Sequence, residues 1–158
     1  GLCGSRDLED VLRQPAQVGQ GPVIGAQALE SALEALQQRQ PLNAATGALH
    51  AAAWCDTNGN LRLVREDIGR HNALDKLVGA MQQQGLSPTD GFALITSRAS
   101  YEIAMKAAAA GITFIAAVSA PTALAVDLAQ ACGLTLVGFA RPGRQVVYSH
   151  PHRFGGAT

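Results

Sequence analysis

After Asp90 the chain repeats itself at an offset of about 22 residues, and no other feature constrains the fold as tightly. Ser97 is matched by Ser119, Gly111 by Gly133 and Thr113 by Thr135, and the same step carries Ser119 to Arg141. Each unit holds an apolar run (92–96, 114–118, 136–140) and then a polar turn, followed in the first two units by an alanine-rich segment of helical character. Such units predict parallel strands joined by right-handed crossovers, the signature of an α/β domain. A last strand, 145–149, returns after Arg141-Pro142-Gly143-Arg144.

Upstream, the pattern is less regular. Gly1-Leu2-Cys3-Gly4 is a glycine-flanked tip, and Ser5 can cap a short helix through Asp7, Leu8, Val11 and Leu12. Residues 14–25 carry two prolines and three glycines and read as a connection, which divides the chain into an N-terminal loop region, 1–24, and a main domain, 25–158. A helix is expected over 26–38, with Leu29, Ala32, Leu33 and Leu36 on one face and Pro41 beyond its end. Residues 46–54 lead into a hairpin whose turn is Asp56-Thr57-Asn58-Gly59-Asn60, and the returning strand is 61–64.

That strand delivers the most polar stretch of the chain, 65–76. Only 15% of all residues are charged, yet seven of these twelve are Asp, Glu, Lys, Arg or His, and Leu74, Leu77, Val78 and Met81 follow at helical spacing. Burying so many alternating charges without partners would cost desolvation, so the stretch marks a candidate site. His50 and His71, at the ends of adjacent strands, point to the same place.

The repeat puts Ser97-Arg98-Ala99-Ser100, Ser119-Ala120-Pro121-Thr122 and Arg141-Pro142-Gly143-Arg144 at the carboxyl ends of successive strands, the edge where open α/β sheets bind ligands. Two of these turns start helices, whose free N–H groups favour an anion. A phosphate or pyrophosphate fits, with Arg98, Arg141 and Arg144 as bidentate donors and Asp67 or Asp75 as an acceptor for a base or ribose.

Composition excludes several other classes. The 158 residues have the length of one domain, and 47% apolar content suffices for its core. The formal net charge is zero, so the overall balance calls for neither nucleic acid nor an anionic membrane. The most apolar region, 107–136, is broken by Gly111, Pro121, Asp127 and Gly133 and is not read as a membrane span. Nothing at the start resembles a signal peptide, and Cys3, Cys55 and Cys132 are too few for a disulfide scaffold, so a reducing cytoplasm is expected. Cys55 and Cys132 have no partners at metal-ligand spacing and are expected to be buried apolar residues, whereas Cys3 has the setting of an accessible thiol. There is no Walker box, no complete Rossmann fingerprint and no His-Glu-x-x-His. In His50-Ala51-Ala52, alanine stands where a zinc deaminase needs its glutamate, and no Pro-Cys-x-x-Cys follows; no metal site is expected.

Taken together, Thr46-Gly-x-x-His50-Ala-Ala-Ala-Trp54, Glu66-Asp67-Ile-Gly69-Arg70-His71-Asn-Ala-Leu-Asp75-Lys76-Leu77, Ser97-Arg98-Ala99-Ser100-Tyr101-Glu102, Val118-Ser119-Ala120-Pro121-Thr122 and Leu136-Val-Gly138-Phe139-Ala-Arg141-Pro142-Gly143-Arg144 resemble the FdhD family of formate dehydrogenase accessory sulfurtransferases. The resemblance implies a three-layer α/β fold related to cytidine deaminases, with a mixed sheet and a parallel βαβαβ C-terminal half. It implies sulfuration of the molybdenum (or tungsten) bis-molybdopterin guanine dinucleotide cofactor before insertion into the formate dehydrogenase apo-enzyme, with a cysteine desulfurase as donor. Cofactor contacts are implied at Phe139, Ala140, Arg141, Pro142, Gly143 and Arg144, and Ser97, Arg98, Ser100, Ser119, Ala120 and Thr122 become further candidates, with guanosine diphosphate as a mimic of half the ligand. His50, Asp67, Arg70, His71 and Asp75 are then expected to wall, orient or polarise the site. The family's Cys-x-x-Cys would place the expected persulfide carrier immediately before Gly1 and the second thiol, the catalytic candidate of this chain, at Cys3. A two-fold symmetric cofactor suggests a homodimer. The competing expectation is a non-catalytic cofactor chaperone whose cysteines are dispensable.

Overall fold

A computed structural model of the chain describes residues 17–39 and 49–155. Cys3, the short helix expected at 5–12 and residues 46–48 lie outside the described residues. The elements run α1 (Ala26–Arg39), β1 (His50–Asp56), β2 (Leu61–Asp67), α2 (Arg70–Gln84), β3 (Gly91–Ile95), α3 (Tyr101–Ala109), β4 (Phe114–Ala117), α4 (Ala123–Cys132), β5 (Thr135–Arg141) and β6 (Arg144–Ser149), closed by a 3₁₀ turn at Pro151–Arg153. Six strands form one mixed sheet in the order β2-β1-β3-β4-β5-β6. The repeat folds as its period predicts: β3, β4 and β5 are parallel neighbours, flanked by the antiparallel strands β1 and β6, and β2 pairs antiparallel with β1 and so runs in the direction of β3.

The repeat also explains its own glycines and threonines. Gly111 and Gly133 each close a helix at φ +86°, a conformation in which a Cβ would be strained. Thr113, just before β4, and Thr135, the first residue of β5, are both fully buried, with the Thr135 N–H donating to the Thr113 carbonyl at 2.9 Å.

Strand alternation separates two apolar layers. Ala51, Ala53 and Cys55 of β1 share one face with Phe92, Leu94, Phe114 and Val137, against Leu29, Ala32, Leu33 and Leu36 of α1. Ala52 and Trp54 share the other with Ala93, Ile95 and Ile115, beneath α2, α3 and α4. The result is a three-layer α/β/α arrangement. Phe92 and Phe114, both fully buried, meet edge to face at 5.7 Å in the α1 layer.

Two boundary shifts relative to the sequence reading bear on the ligand edge. Strand β2 does not stop at Val64 but continues through Arg65, Glu66 and Asp67, whose partners on β1 are Ala52, Ala51 and His50. As an edge strand, β2 tolerates charges because one side stays wet, and the loss of apolar alternation hid its last residues. Likewise Arg141 and Arg144 are paired strand residues, so the β5–β6 turn proper is only Pro142-Gly143. Residues 17–24 are laced to the domain: the Val18 N–H donates to the Cys132 carbonyl at 2.9 Å, and Ile24 bridges to Phe154.

Candidate functional site

Because β2 and β3 both run antiparallel to β1, the carboxyl ends of β2, β3, β4 and β5 all reach the same edge of the sheet. With strands about 4.8 Å apart, that edge extends about 19 Å from β2 to β5. It gathers His50, Asp67, the 97–100 turn, the 119–122 turn and the arginine turn, residues the sequence places far apart. Hydrogen bonds join these pieces into one ledge. The Ala51 N–H donates to Thr96 Oγ1 at 2.9 Å, and the Thr96 N–H returns to the Ala51 carbonyl at 3.1 Å. The Thr122 N–H donates to the Ala99 carbonyl at 3.0 Å, and the Phe139 N–H donates to the Ser119 carbonyl at 3.2 Å.

Two hydroxyls of the ledge already hold a helix. Ser100 Oγ accepts from the Ile103 N–H at 3.3 Å and Thr122 Oγ1 from the Ala125 N–H at 3.1 Å, capping α3 and α4. Each hydroxyl still carries its own donor O–H. Ser97 is buried, and its hydroxyl donates to the Arg98 carbonyl at 3.2 Å, while Arg98 itself is exposed. Ser119 and Ala120 are half-buried between β4 and the cap.

At the β5 end the ladder is interrupted between Gly138 and Arg141, and Phe139 takes φ +50°, a left-handed conformation that is uncommon for an aromatic residue and clusters at functional positions. The bulge re-aims its ring outward: Phe139 is 37% exposed while Ala140 beside it is buried. Phe139, Arg141 and Arg144 line an open hollow of about 240 Å³. An exposed aromatic face beside two guanidinium groups suits a planar base carrying phosphates.

The polar stretch at the β2 end is more self-contained than its charge suggests. Lys76 Nζ lies 2.7 Å from Asp67 Oδ2, and Asp67 Oδ1 accepts from the Gly69 N–H at 2.9 Å. The Lys76 ammonium, with the Gly69 N–H, holds the Asp67 carboxyl down at about 2. Arg70 opens α2 and is exposed, His71 next to it is half-buried, and His50 faces Asp67 across the β1–β2 pair. Asp75 lies apart from them: it pairs with Lys106 of α3 at 3.0 Å in the groove between the two helices, alongside Val78, Gly79 and Gln82.

Cys55 and Cys132 are free and fully buried. Burial pushes both thiols up, with the neighbouring Asp56 charge adding to the effect at Cys55, so neither has thiolate character. Among the described residues there is no group of three or more His, Cys, Asp or Glu able to hold a metal ion, and no helix is long and apolar enough to cross a membrane.

The sequence model of the FdhD/NarQ family matches residues 1–155, almost the whole chain. The chain belongs to the FdhD/NarQ family. Among curated FdhD/NarQ relatives, a sulfur carrier protein FdhD of Xanthomonas euvesicatoria is 58% identical over 153 residues, covering 97% of this chain and 54% of its own length. The sulfur carrier protein FdhD of Cupriavidus necator is 53% identical over 153 residues, covering 97% and 53%. A crystal structure from Desulfotalea psychrophila, described as a formate dehydrogenase accessory protein, superposes with a TM-score of 0.81 at 29% identity, over 88% of this chain and 62% of that one. The chain therefore spans about half the length of the curated FdhD relatives it matches.

The sequence reading of this candidate edge passed over three contributors. Gly138 lies inside β5, where an added Cβ would stand 2.7 Å from Pro121 Cδ, so its bareness is what lets the 119–122 turn press on the strand. A glycine within a strand is the signal for such an approach. Thr96 carries the tie to β1, and Glu30 reaches the arginine turn from α1; neither had a local signal, since their partners are 45 and 113 residues away.

Proposed function

We propose that this chain binds the guanine-nucleotide end of a molybdenum or tungsten bis-molybdopterin guanine dinucleotide at the carboxyl edge of its sheet, and acts in passing sulfur from a cysteine desulfurase to that cofactor before the formate dehydrogenase apo-enzyme receives it. The observation that carries the reading is the hollow at Phe139, Arg141 and Arg144, continuous through the Phe139–Ser119 hydrogen bond with two capped helix starts. In it Phe139 stacks on the base. Arg141, Arg144 and Arg98 hold phosphates, with the free N–H groups at the starts of α3 and α4 as further donors. His50, Arg70 and His71 border the far end of the edge, with Asp67 fixing the approach to α2. The names of the sulfur carrier relatives support the sulfur role.

The sulfur step needs two thiols. A loop thiolate, that of the cysteine expected immediately before Gly1, attacks the outer sulfur of the desulfurase persulfide; the S–S bond to the desulfurase breaks and its cysteine leaves as thiolate. The Cys3 thiolate then attacks the inner sulfur of the new persulfide. A disulfide forms, the outer sulfur departs as hydrosulfide to the metal of the cofactor, and the two electrons come from the thiol pair, which a cellular dithiol restores. The cofactor's two-fold symmetry favours a homodimer, and the reducing chemistry favours the cytoplasm.

Titration with guanosine diphosphate by calorimetry tests the site: Arg144→Ala should weaken binding by about tenfold or more, as expected for loss of a charged phosphate contact. Unchanged affinity rejects the placement. For the sulfur role, a chain that includes the preceding cysteine is incubated with desulfurase and cysteine and weighed by mass spectrometry. An added sulfur on a loop cysteine is expected; sulfur confined to Cys55 or Cys132 sinks the mechanism.

A further inference from the structure

The arginine turn is poorly held by its own hairpin. Beyond the bulge at Phe139, a single ladder pair, Arg141 with Arg144, closes it, and Pro142 and Gly143 protrude into solvent with Gly143 at φ +82°. Within the hairpin, Gln145 Nε2 donates to the Arg141 carbonyl at 2.9 Å. The external support comes from α1: the Gly143 N–H donates to Glu30 Oε1 at 2.9 Å. Glu30 is well placed to transmit rigidity. Its chain neighbour Leu29 is fully buried, Leu33 one turn on is 2% exposed, and α1 is thereby fixed against the sheet.

We propose that Glu30 is a positioning residue for the arginine turn: by accepting the Gly143 N–H it sets the pose in which Arg141 and Arg144 meet the ligand's phosphates. This inference rests on the nucleotide reading of the Phe139–Arg141–Arg144 hollow. Glu30 acts through the backbone of Gly143 and touches no ligand atom. Its role depends on an acceptor oxygen at that point and not on its charge, because glutamine offers the same oxygen at the same reach.

Guanosine diphosphate affinity by calorimetry on the full chain, with melting temperatures alongside, separates the possibilities. Glu30→Ala should weaken binding about fivefold, the factor that an ordinary hydrogen bond of about 1 kcal/mol carries. Glu30→Gln should stay within about twofold of the parent, since the hydrogen bond survives the loss of charge. The Gly143 amide resonance should move upfield in the alanine variant only. Equal, parent-like affinity in both variants overturns the proposal. So does tighter binding in Glu30→Gln, which would make the carboxylate a competitor of the phosphate and not a support. Arg144→Ala is the control for the underlying reading: if it binds like the parent, the nucleotide site is misplaced, whereas loss in Arg144→Ala with none in Glu30→Ala rejects the role of Glu30 alone.

Discussion

Gly138→Ala adds one methyl group and removes nothing. The added Cβ would lie 2.7 Å from Pro121 Cδ and 2.8 Å from Tyr148 Cε2, against a comfortable carbon separation of about 3.5–4.0 Å. Gly138 is not among the glycines at positive φ, so its cost is steric and not conformational. Two groups must retreat by about 1 Å, and overpacking of this kind costs about 1–3 kcal/mol. For a domain of this size, about 2 kcal/mol corresponds to a fall in Tm of about 4–8 °C. Tyr148 is a half-buried side chain on the edge strand and can swing, but Pro121 is a rigid ring inside the 119–122 turn. Moving it strains the Thr122–Ala99 and Phe139–Ser119 hydrogen bonds, which align the ledge. Guanosine diphosphate affinity should therefore fall about tenfold although no residue of the hollow is altered. Adding Pro121→Ala removes the Cδ and should restore part of the affinity, a coupling that a double-mutant cycle measures. Unchanged Tm and affinity in Gly138→Ala would refute the packing argument. A lower Tm with full affinity would show that Tyr148 absorbs the methyl group and that the turn does not steer the site.

Three further outcomes follow from groups outside the hollow. The Asp67 carboxyl, held at about 2 against an ordinary value of 3.8, contributes stability that is complete above about pH 4 and is lost as pH falls toward 2; Tm measured across that range should decline less steeply in Asp67→Asn than in the parent. Arg153 is 6% exposed, and its guanidinium donates to the carbonyls of Thr113, Gly133 and Gly19 and to Thr135 Oγ1 at 2.6–3.2 Å; Arg153→Met should cost about 3 kcal/mol, lowering Tm by about 6–12 °C, because it orphans buried acceptors while relieving the desolvation of the charge. Cys55 and Cys132 should resist maleimide at pH 7.5 in the native protein and react only on unfolding, so rapid labelling of either in the native state would contradict their burial.

What could be read without coordinates was local or periodic. The 22-residue offset specified β3–α3–β4–α4–β5, and with it the turns from which Ser100 and Thr122, read there as ligand contacts, are found to cap α3 and α4. Gathering the strand-end turns on one edge followed from parallel topology alone. What escaped was long-range. No pattern in residues 136–141 signals that Phe139 turns left-handed, because the bulge is imposed by pairing with β6. Asp75 stands among the charges of the 65–76 stretch, yet the helical turn that follows Arg70 rotates it toward Lys106. Arg153 carries no local hint that it is buried, since its acceptors come from three separate segments.

The two ends of the parallel strands treat charge in opposite ways, and the contrast bears on function. At the amino ends of β4 and β5, Arg153 is taken out of water and saturated by fixed acceptors, an arrangement that holds the N-terminal connection and needs nothing further. At the carboxyl ends, Arg98, Arg141 and Arg144 stay exposed, and no carboxylate among the described residues pairs with them. The carboxylate that does approach, Glu30, is engaged by the Gly143 N–H and orients the turn. A chain of zero net charge had opposite charges available to neutralise that edge. Their placement elsewhere, on Lys76 and Lys106, leaves Arg141 and Arg144 beside the exposed Phe139 ring with no carboxylate of the described residues paired to them, the setting that the proposed phosphate contacts require.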